Sequence, residues 1–279
     1  MFDARFLGLA LVLLGATACS NDLPKPQVLD RLRVLALTAN TPEVLPGATV
    51  TITPFVSDVR GAGRALSYAV EACRDPGLDF GAGVSCAHDT AKQTVASTSV
   101  TLTAPRYTQA VTSFNITVPA TLFADALTDA VSQFNGANYL VIFTLTAADG
   151  EVERVFRRIK VSGATKTTKN TNPSISGITT DAGVAVTTLP AAETTLLVTA
   201  PASAAESYTE LNSDGSTETR TENLTVSWFA SEGLPENATV ALARGNKYTP
   251  ASTTTYSPFL IAVLRDERGG VAISSPLTP

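Results

Sequence analysis

Apolar positions along the chain fall mostly in short runs separated by Asp, Gly and Pro, the pattern of a β-rich protein. Residues 31–38 read Arg-Leu-Arg-Val-Leu-Ala-Leu-Thr, with Leu32, Val34 and Ala36 on one face and Arg31, Arg33, Leu35 and Leu37 on the other. From Val34 onward both faces are apolar, which predicts a strand that starts at solvent and becomes buried. Thr41-Pro42-Glu43 and Pro46-Gly47 punctuate the loop that follows. Alternation then predicts strands over 48–56, 66–73, 95–102 and 112–118. Pro119 opens a different period. Leu122, Phe123, Ala126, Leu127, Ala130, Val131 and Phe134 recur at three- and four-residue steps. That is one helical stripe over about 120–135, stopped at Gly136. Two long strands, 139–146 and 152–161, then meet across Asp149-Gly150, a strong hairpin signal.

Residues 162–172 carry almost no apolar side chain and read as a linker, after which the strand pattern restarts. Strands are predicted at Ile175 to Ile178, 194–199 and 224–229, with a polar excursion from Glu206 to Glu222 whose Asp214-Gly215 suits an exposed hairpin tip. Residues 259–264 and 271–274 flank Asp266-Glu267-Arg268-Gly269-Gly270, a second hairpin turn. The halves align. Leu66, Tyr68 and Val70 match Leu224, Val226 and Trp228, and each half closes with an apolar strand, a tight Asp/Gly turn and another strand. Two related β-sandwich modules explain this order, at residues 30–162 and 174–279, joined by a linker at 163–173.

Composition supports folded modules: 44% of residues are hydrophobic and only 16% charged. The net charge of −5 gives no electrostatic footprint for nucleic acid. Ahead of the modules lies Arg5 and an apolar run ending in Ala16-Thr17-Ala18-Cys19. That run is too short to span a bilayer as a helix, and it has the layout of a secretory signal over residues 1–18. Ala16-Thr17-Ala18 fits ordinary secretory cleavage, and processing to an acylated Cys19 would cut the same bond. Cysteine parity favours lipid. The chain has three cysteines, and with Cys19 acylated, Cys73 and Cys86 are left as a closed pair, a structural disulfide in an exported protein. Residues 20–26 are polar and proline-containing, as suits a tether over 19–29.

The box ending at Cys19, the strand Arg33-Val34-Leu35-Ala36-Leu37 with Pro42-Glu43 and Pro46-Gly47 after it, the Cys73/Cys86 pair and the closing Arg265-Asp266-Glu267-Arg268-Gly269-Gly270-Val271 together resemble bacterial surface lipoproteins built from Ig-like or PKD-like β-sandwich modules. The box carries Ala16 where such boxes usually carry Leu. The resemblance implies an all-β chain of two Ig-like β-sandwich domains in tandem, the first with one inserted helix. Trp228 looks like the core tryptophan of Ig sandwiches. It further implies acylation of Cys19 as a membrane anchor, and Ser20 after it implies outer-membrane sorting.

No constellation for catalysis can be named. His88 is the single histidine and no Gly-x-Ser-x-Gly elbow accompanies it. Glu151/Glu153 and Glu218/Glu222 sit in polar segments that read as solvated. Asp58, Asp75, Asp79 and Asp89 in the first module, and Asp266 with Glu267 in the second, are the carboxylates that calcium would need. Their spacing is not that of an EF-hand, and they read as turn residues. The three Asn-x-Thr matches at Asn115, Asn223 and Asn237 read as chance in a Thr-rich chain. The expectation is therefore a non-enzymatic cell-envelope protein, without cofactor or metal, held on the membrane through Cys19, with a structural, adhesive or interaction role. The alternative is a glycan- or peptide-binding module. It would use sandwich-end loops around Cys73 and Cys86, with Tyr68, Tyr107, Tyr139, Tyr208, Tyr248 and Tyr256 as possible stacking surfaces.

Overall fold

The computed structural model describes residues 25–77, 84–126 and 129–279. Cys19, the signal residues 1–18, the first part of the tether, Asp79 and Leu127 lie outside the described residues.

The first half is built from β1 (Arg33–Ala39), β2 (Glu43–Val44), β3 (Thr49–Ser57), β4 (Leu66–Arg74), β5 (Gln93–Val100), β6 (Thr108–Ala110), β7 (Phe114–Thr117), β8 (Ala137–Ala147) and β9 (Val152–Val161). One sheet joins β1, β3, β6 and β7, and the other has the order β2-β9-β8-β4-β5. The apolar stripe after Pro119 is helical in two short pieces, α1 (Leu122–Ala126) and α2 (Ala130–Asn135). The Asp129 carboxylate accepts from the Ser132 N–H at 2.8 Å, so a capping aspartate starts a new helix inside the stripe.

The second half comprises β10 (Gly177–Thr180), β11 (Thr194–Thr199), β12 (Ser207–Leu211), β13 (Thr217–Thr221), β14 (Thr225–Ala230), β15 (Leu234–Pro235), β16 (Thr239–Ala241), β17 (Asn246–Thr249), β18 (Leu260–Arg265) and β19 (Val271–Ile273). Its sheets run β10-β11-β17-β15 and β16-β14-β18-β19, and β12 and β13 stand apart as a hairpin.

The halves share a plan. In each, one strand (β4 or β14) lies between a short strand that comes later in the chain (β5 or β16) and a long apolar strand (β8 or β18), which turns back into the last strand of the module. The aligned residues do the same work: Leu66, Tyr68 and Val70 enter the first core, and Leu224, Val226 and Trp228 the second. Both halves are therefore β-sandwiches of the Ig-like class. The sequence pattern missed β2, β6 and β15 to β17, because strands of two to four residues hold too few alternating positions to register.

A third apolar cluster lies between the sandwiches, where Leu35 and Ala36 of β1 meet Phe229, Phe259, Ile261, Val263 and Val271. Strand β1 reaches it through a β-bulge. Val34 pairs with Val56 and Ala36 with Phe55, leaving Leu35 as an extra residue. A bulge shifts the phase of the alternation, so Leu32, Leu37 and Ala39 point into their own core while Leu35 and Ala36 point at the second sandwich. Strand β18 is buried on both faces without a bulge, by plain alternation: Leu260, Ala262 and Leu264 face its own core, Ile261 and Val263 the seam. Ile261 is fully buried. Replacement Ile261→Ala should lower the unfolding free energy by about 2–5 kcal/mol in urea titration, the range for a truncated core side chain. A loss below about 0.5 kcal/mol, as at ordinary surface sites, would show that the sandwiches do not press on each other there.

Candidate functional site

At one end the seam closes on charged groups. Glu43 of β2 is 1% exposed. Its carboxylate accepts from Ser162 Oγ at 2.6 Å and the Asn170 N–H at 2.9 Å, and pairs with Lys166 Nζ at 3.0 Å and Arg268 Nη2 at 2.5 Å. Burial acts to raise its pKa, but the hydrogen bonds from Ser162, Lys166 and Asn170 outweigh it and hold the carboxyl below its ordinary value. Arg268 also reaches Glu222 at 3.2 Å and Glu206 at 3.7 Å, and lies 4.5 Å from the centre of the Tyr208 ring. The stretch read as a linker is therefore pinned: Lys166 and Asn170 are buried, and its polar composition reflects pairing as much as solvation.

Two arginines cross the seam in opposite directions. Arg157 of β9 donates to the Leu37 carbonyl and, at 2.6 Å, to the Gly269 carbonyl in the turn after β18. Arg265 of β18 donates to the Leu35 carbonyl at 2.7 Å and to Ser227 Oγ at 2.9 Å. Burial pushes Arg157 down to about 10. Asn172 donates to the Ala39 carbonyl at 2.7 Å and accepts from the Val271 N–H at 3.0 Å. The fit leaves no room at Gly270, where a Cβ would lie 2.0 Å from Asp266 Oδ2 and 2.8 Å from the Thr171 carbonyl oxygen. The Asn135 side chain at the end of α2 exchanges two 2.8 Å hydrogen bonds with the Leu211 backbone, tying the β12–β13 hairpin to the first sandwich. Between hairpin, turn and β9 opens a cleft of about 590 Å³.

Apart from Glu222 and Tyr208, which meet Arg268, the residues singled out in the sequence lie elsewhere, with one exception. Cys73 and Cys86 form a disulfide, Cα–Cα 5.6 Å, packed on Leu140 and Ile142. His88 is exposed, and its ring contacts the Arg74 carbonyl at 3.1 Å. Asp58 is held by Arg64 at 2.8 Å, Asp75 by Arg158, and Asp89 by the Arg74 and Ala91 N–H groups at 3.0 and 2.9 Å. Among the described residues, no three metal-ligating side chains gather. Tyr68, Tyr139, Tyr208 and Tyr248 are buried, which removes them as stacking surfaces; Tyr107 and Tyr256 are partly exposed. The exception is the motif Arg265 to Val271, which together with Leu35 and Glu43 carried the family resemblance and converges here on the seam.

No protein-family model and no curated protein matches the sequence. Among solved structures the chain is similar to the FN1–FN3 domains of chicken CNTN1, at 9% identity and TM-score 0.23 over 88% of this chain and 63% of that one. It is similar to Escherichia coli alpha-2-macroglobulin in its native conformation, at 14% identity and TM-score 0.28 over 89% of this chain and 17% of that one. It is also similar to Spo0M, a sporulation control protein from Bacillus subtilis, at 11% identity and TM-score 0.25 over 89% of this chain and 90% of that one. The sandwich assignment rests on the chain's own strand pairing.

Glu222 departs from its reading as a solvated carboxylate. It is 5% exposed and accepts from the Glu206 N–H at 3.0 Å, and burial above all raises its pKa from 4.5 to about 6. A raised carboxyl pKa means that the folded protein takes up a proton more readily than the unfolded chain. The stability it contributes is present below pH 4.5 and lost as pH rises through 6. Between pH 4.5 and 7 the unmodified protein should lose about 2 kcal/mol relative to Glu222→Gln, measured by urea unfolding. Parallel pH profiles for the two proteins would show that burial does not disfavour the charge.

Proposed function

We propose that the chain is a lipid-anchored cell-envelope protein in which domains 30–162 and 174–279 act as one stiff body with a structural, adhesive or interaction role, without catalysis. The observation that carries this reading is the seam, where apolar packing, crossed arginines and the Glu43 cluster join the two sandwiches. A rigid two-module body suits presentation at a surface better than a pair of freely jointed beads. The secretory layout and cysteine parity at the start of the chain support the anchor through Cys19 and, with Ser20, the outer membrane.

The start of the described chain fits that picture. Gln27 Nε2 donates to the Pro235 carbonyl at 3.2 Å, the Leu29 N–H to the Ala230 carbonyl at 2.9 Å, and Val28 bridges to Ala230. Ala230 pairs with Leu260 at the start of β18, whereas the turn at 266–270 lies past its other end. A tether from Cys19 would therefore meet one end of the body, with the charged cleft at the opposite end, roughly 17 Å further along the strand. The alternative, a glycan- or peptide-binding module, is favoured by the cleft itself.

Intact mass of the protein extracted from membranes should show a mature chain beginning at an acylated Cys19, and globomycin should make the full-length precursor accumulate. An unmodified mature terminus with no globomycin response would remove the anchor.

A further inference from the structure

Six cationic side chains and three carboxylates line the cleft between the sandwiches, an excess of positive charge in a chain whose net charge is −5. Some of these cations are neutralised within the protein. Arg158 has Asp75, and Lys166 and Arg268 share Glu43. Arg157 and Arg265 donate instead to carbonyls and a hydroxyl, with no carboxylate in ion-pair range among the described residues. Lys160 has neither a hydrogen bond nor an ion pair on its ammonium among the described residues. It is only partly exposed, and burial together with the Lys166 charge lowers its pKa. Glu43 and Glu210 act on Lys160, and Asp266 on Arg157, only from beyond ion-pair distance. Cations held away from water without a direct partner are costly, and an anion in the cleft would offset that cost.

The strand geometry indicates what kind of anion fits. Phe156, Arg158 and Lys160 are alternate residues of β9 and so project from one face. They form a row about 13 Å long. Phe156 is 47% exposed, with the Arg158 guanidinium 5.0 Å from its ring centre. Directly opposite Lys160 on β8 stands Asn138, partly exposed, whose side-chain amide makes no hydrogen bond among the described residues. An exposed aromatic ring, a free amide and a free ammonium on one sheet face match a short chain of sugar rings: an apolar ring face, hydroxyls and one oxyanion. The cleft volume lies within the range of small-ligand sites.

We propose that this cleft binds an acidic oligosaccharide, with Lys160 pairing its carboxylate or phosphate, Asn138 bonding a hydroxyl and Phe156 stacking on a ring. The proposal rests on the interaction role above but not on acylation. Titration calorimetry on the purified full chain in detergent, with trigalacturonate as the carboxylate probe and glucose 6-phosphate as the phosphate probe, tests it. At least one probe should bind, more weakly as salt rises, and whichever binds names the oxyanion; neutral maltotriose should bind at least tenfold more weakly. Lys160→Ala should weaken binding at least tenfold and Phe156→Ala at least fivefold, both with unchanged melting temperature. Lys92→Ala, at a surface lysine paired with Glu71, should leave binding unaltered. The proposal is overturned if neither acidic probe binds, if maltotriose binds as well as they do, or if Lys160→Ala binds like the parent. An unacylated chain that still binds a probe would remove only the anchor, and an acylated chain that ignores both probes would remove only the cleft.

Discussion

The arrangement of the two sandwiches depends on one buried carboxylate. Glu43 lies at the meeting point of the first sandwich, the connecting segment and the turn after β18, and all three donate to it. A buried charge is costly when unpaired, and removing one partner of such a set typically costs 3–5 kcal/mol. The connecting segment therefore has a strong preference for one path, and the turn at 266–270 for one docking position. The cluster selects an orientation more than it adds stability, because a well-packed apolar replacement would often be as stable.

The apolar part of the seam supplies the complementary, less directional attraction. It comes from two strands that serve two cores each. In β18 this takes nothing more than consecutive apolar residues, since alternate side chains point to opposite faces. In β1 it takes the bulge at Leu35, which turns neighbouring apolar residues toward different partners and presents the Leu35 carbonyl to Arg265. The crossed pair Arg157 and Arg265 then ties each sandwich to backbone of the other. Donation to carbonyls leaves both guanidinium groups without a direct carboxylate partner among the described residues at the cleft, which links the way the body is held together to the ligand it would accept.

Much of this was legible in the chain. The long strands, the Asp149-Gly150 hairpin, the repeat of Leu66-Tyr68-Val70 as Leu224-Val226-Trp228, and the Cys73–Cys86 bridge all follow from local pattern or parity. The two-faced apolar character of β1 was visible too, but pattern alone cannot say that the second face meets another module. The seam's polar centre was hidden for a different reason. Glu43 and Arg268 are 225 residues apart, and Lys166 and Asn170 sit in a stretch whose composition is that of a solvated linker. Nothing local marks a polar residue as buried when its partners are so distant. Glu222 was misread on the same ground.

Calorimetric unfolding of the full chain tests most directly whether the sandwiches form one body. The account predicts a single endotherm whose calorimetric and van't Hoff enthalpies agree, the mark of one cooperative unit. It also predicts that Glu43→Gln splits this endotherm into two. Two independent transitions in the unmodified protein, or a Glu43→Gln profile that overlays it, would contradict the account.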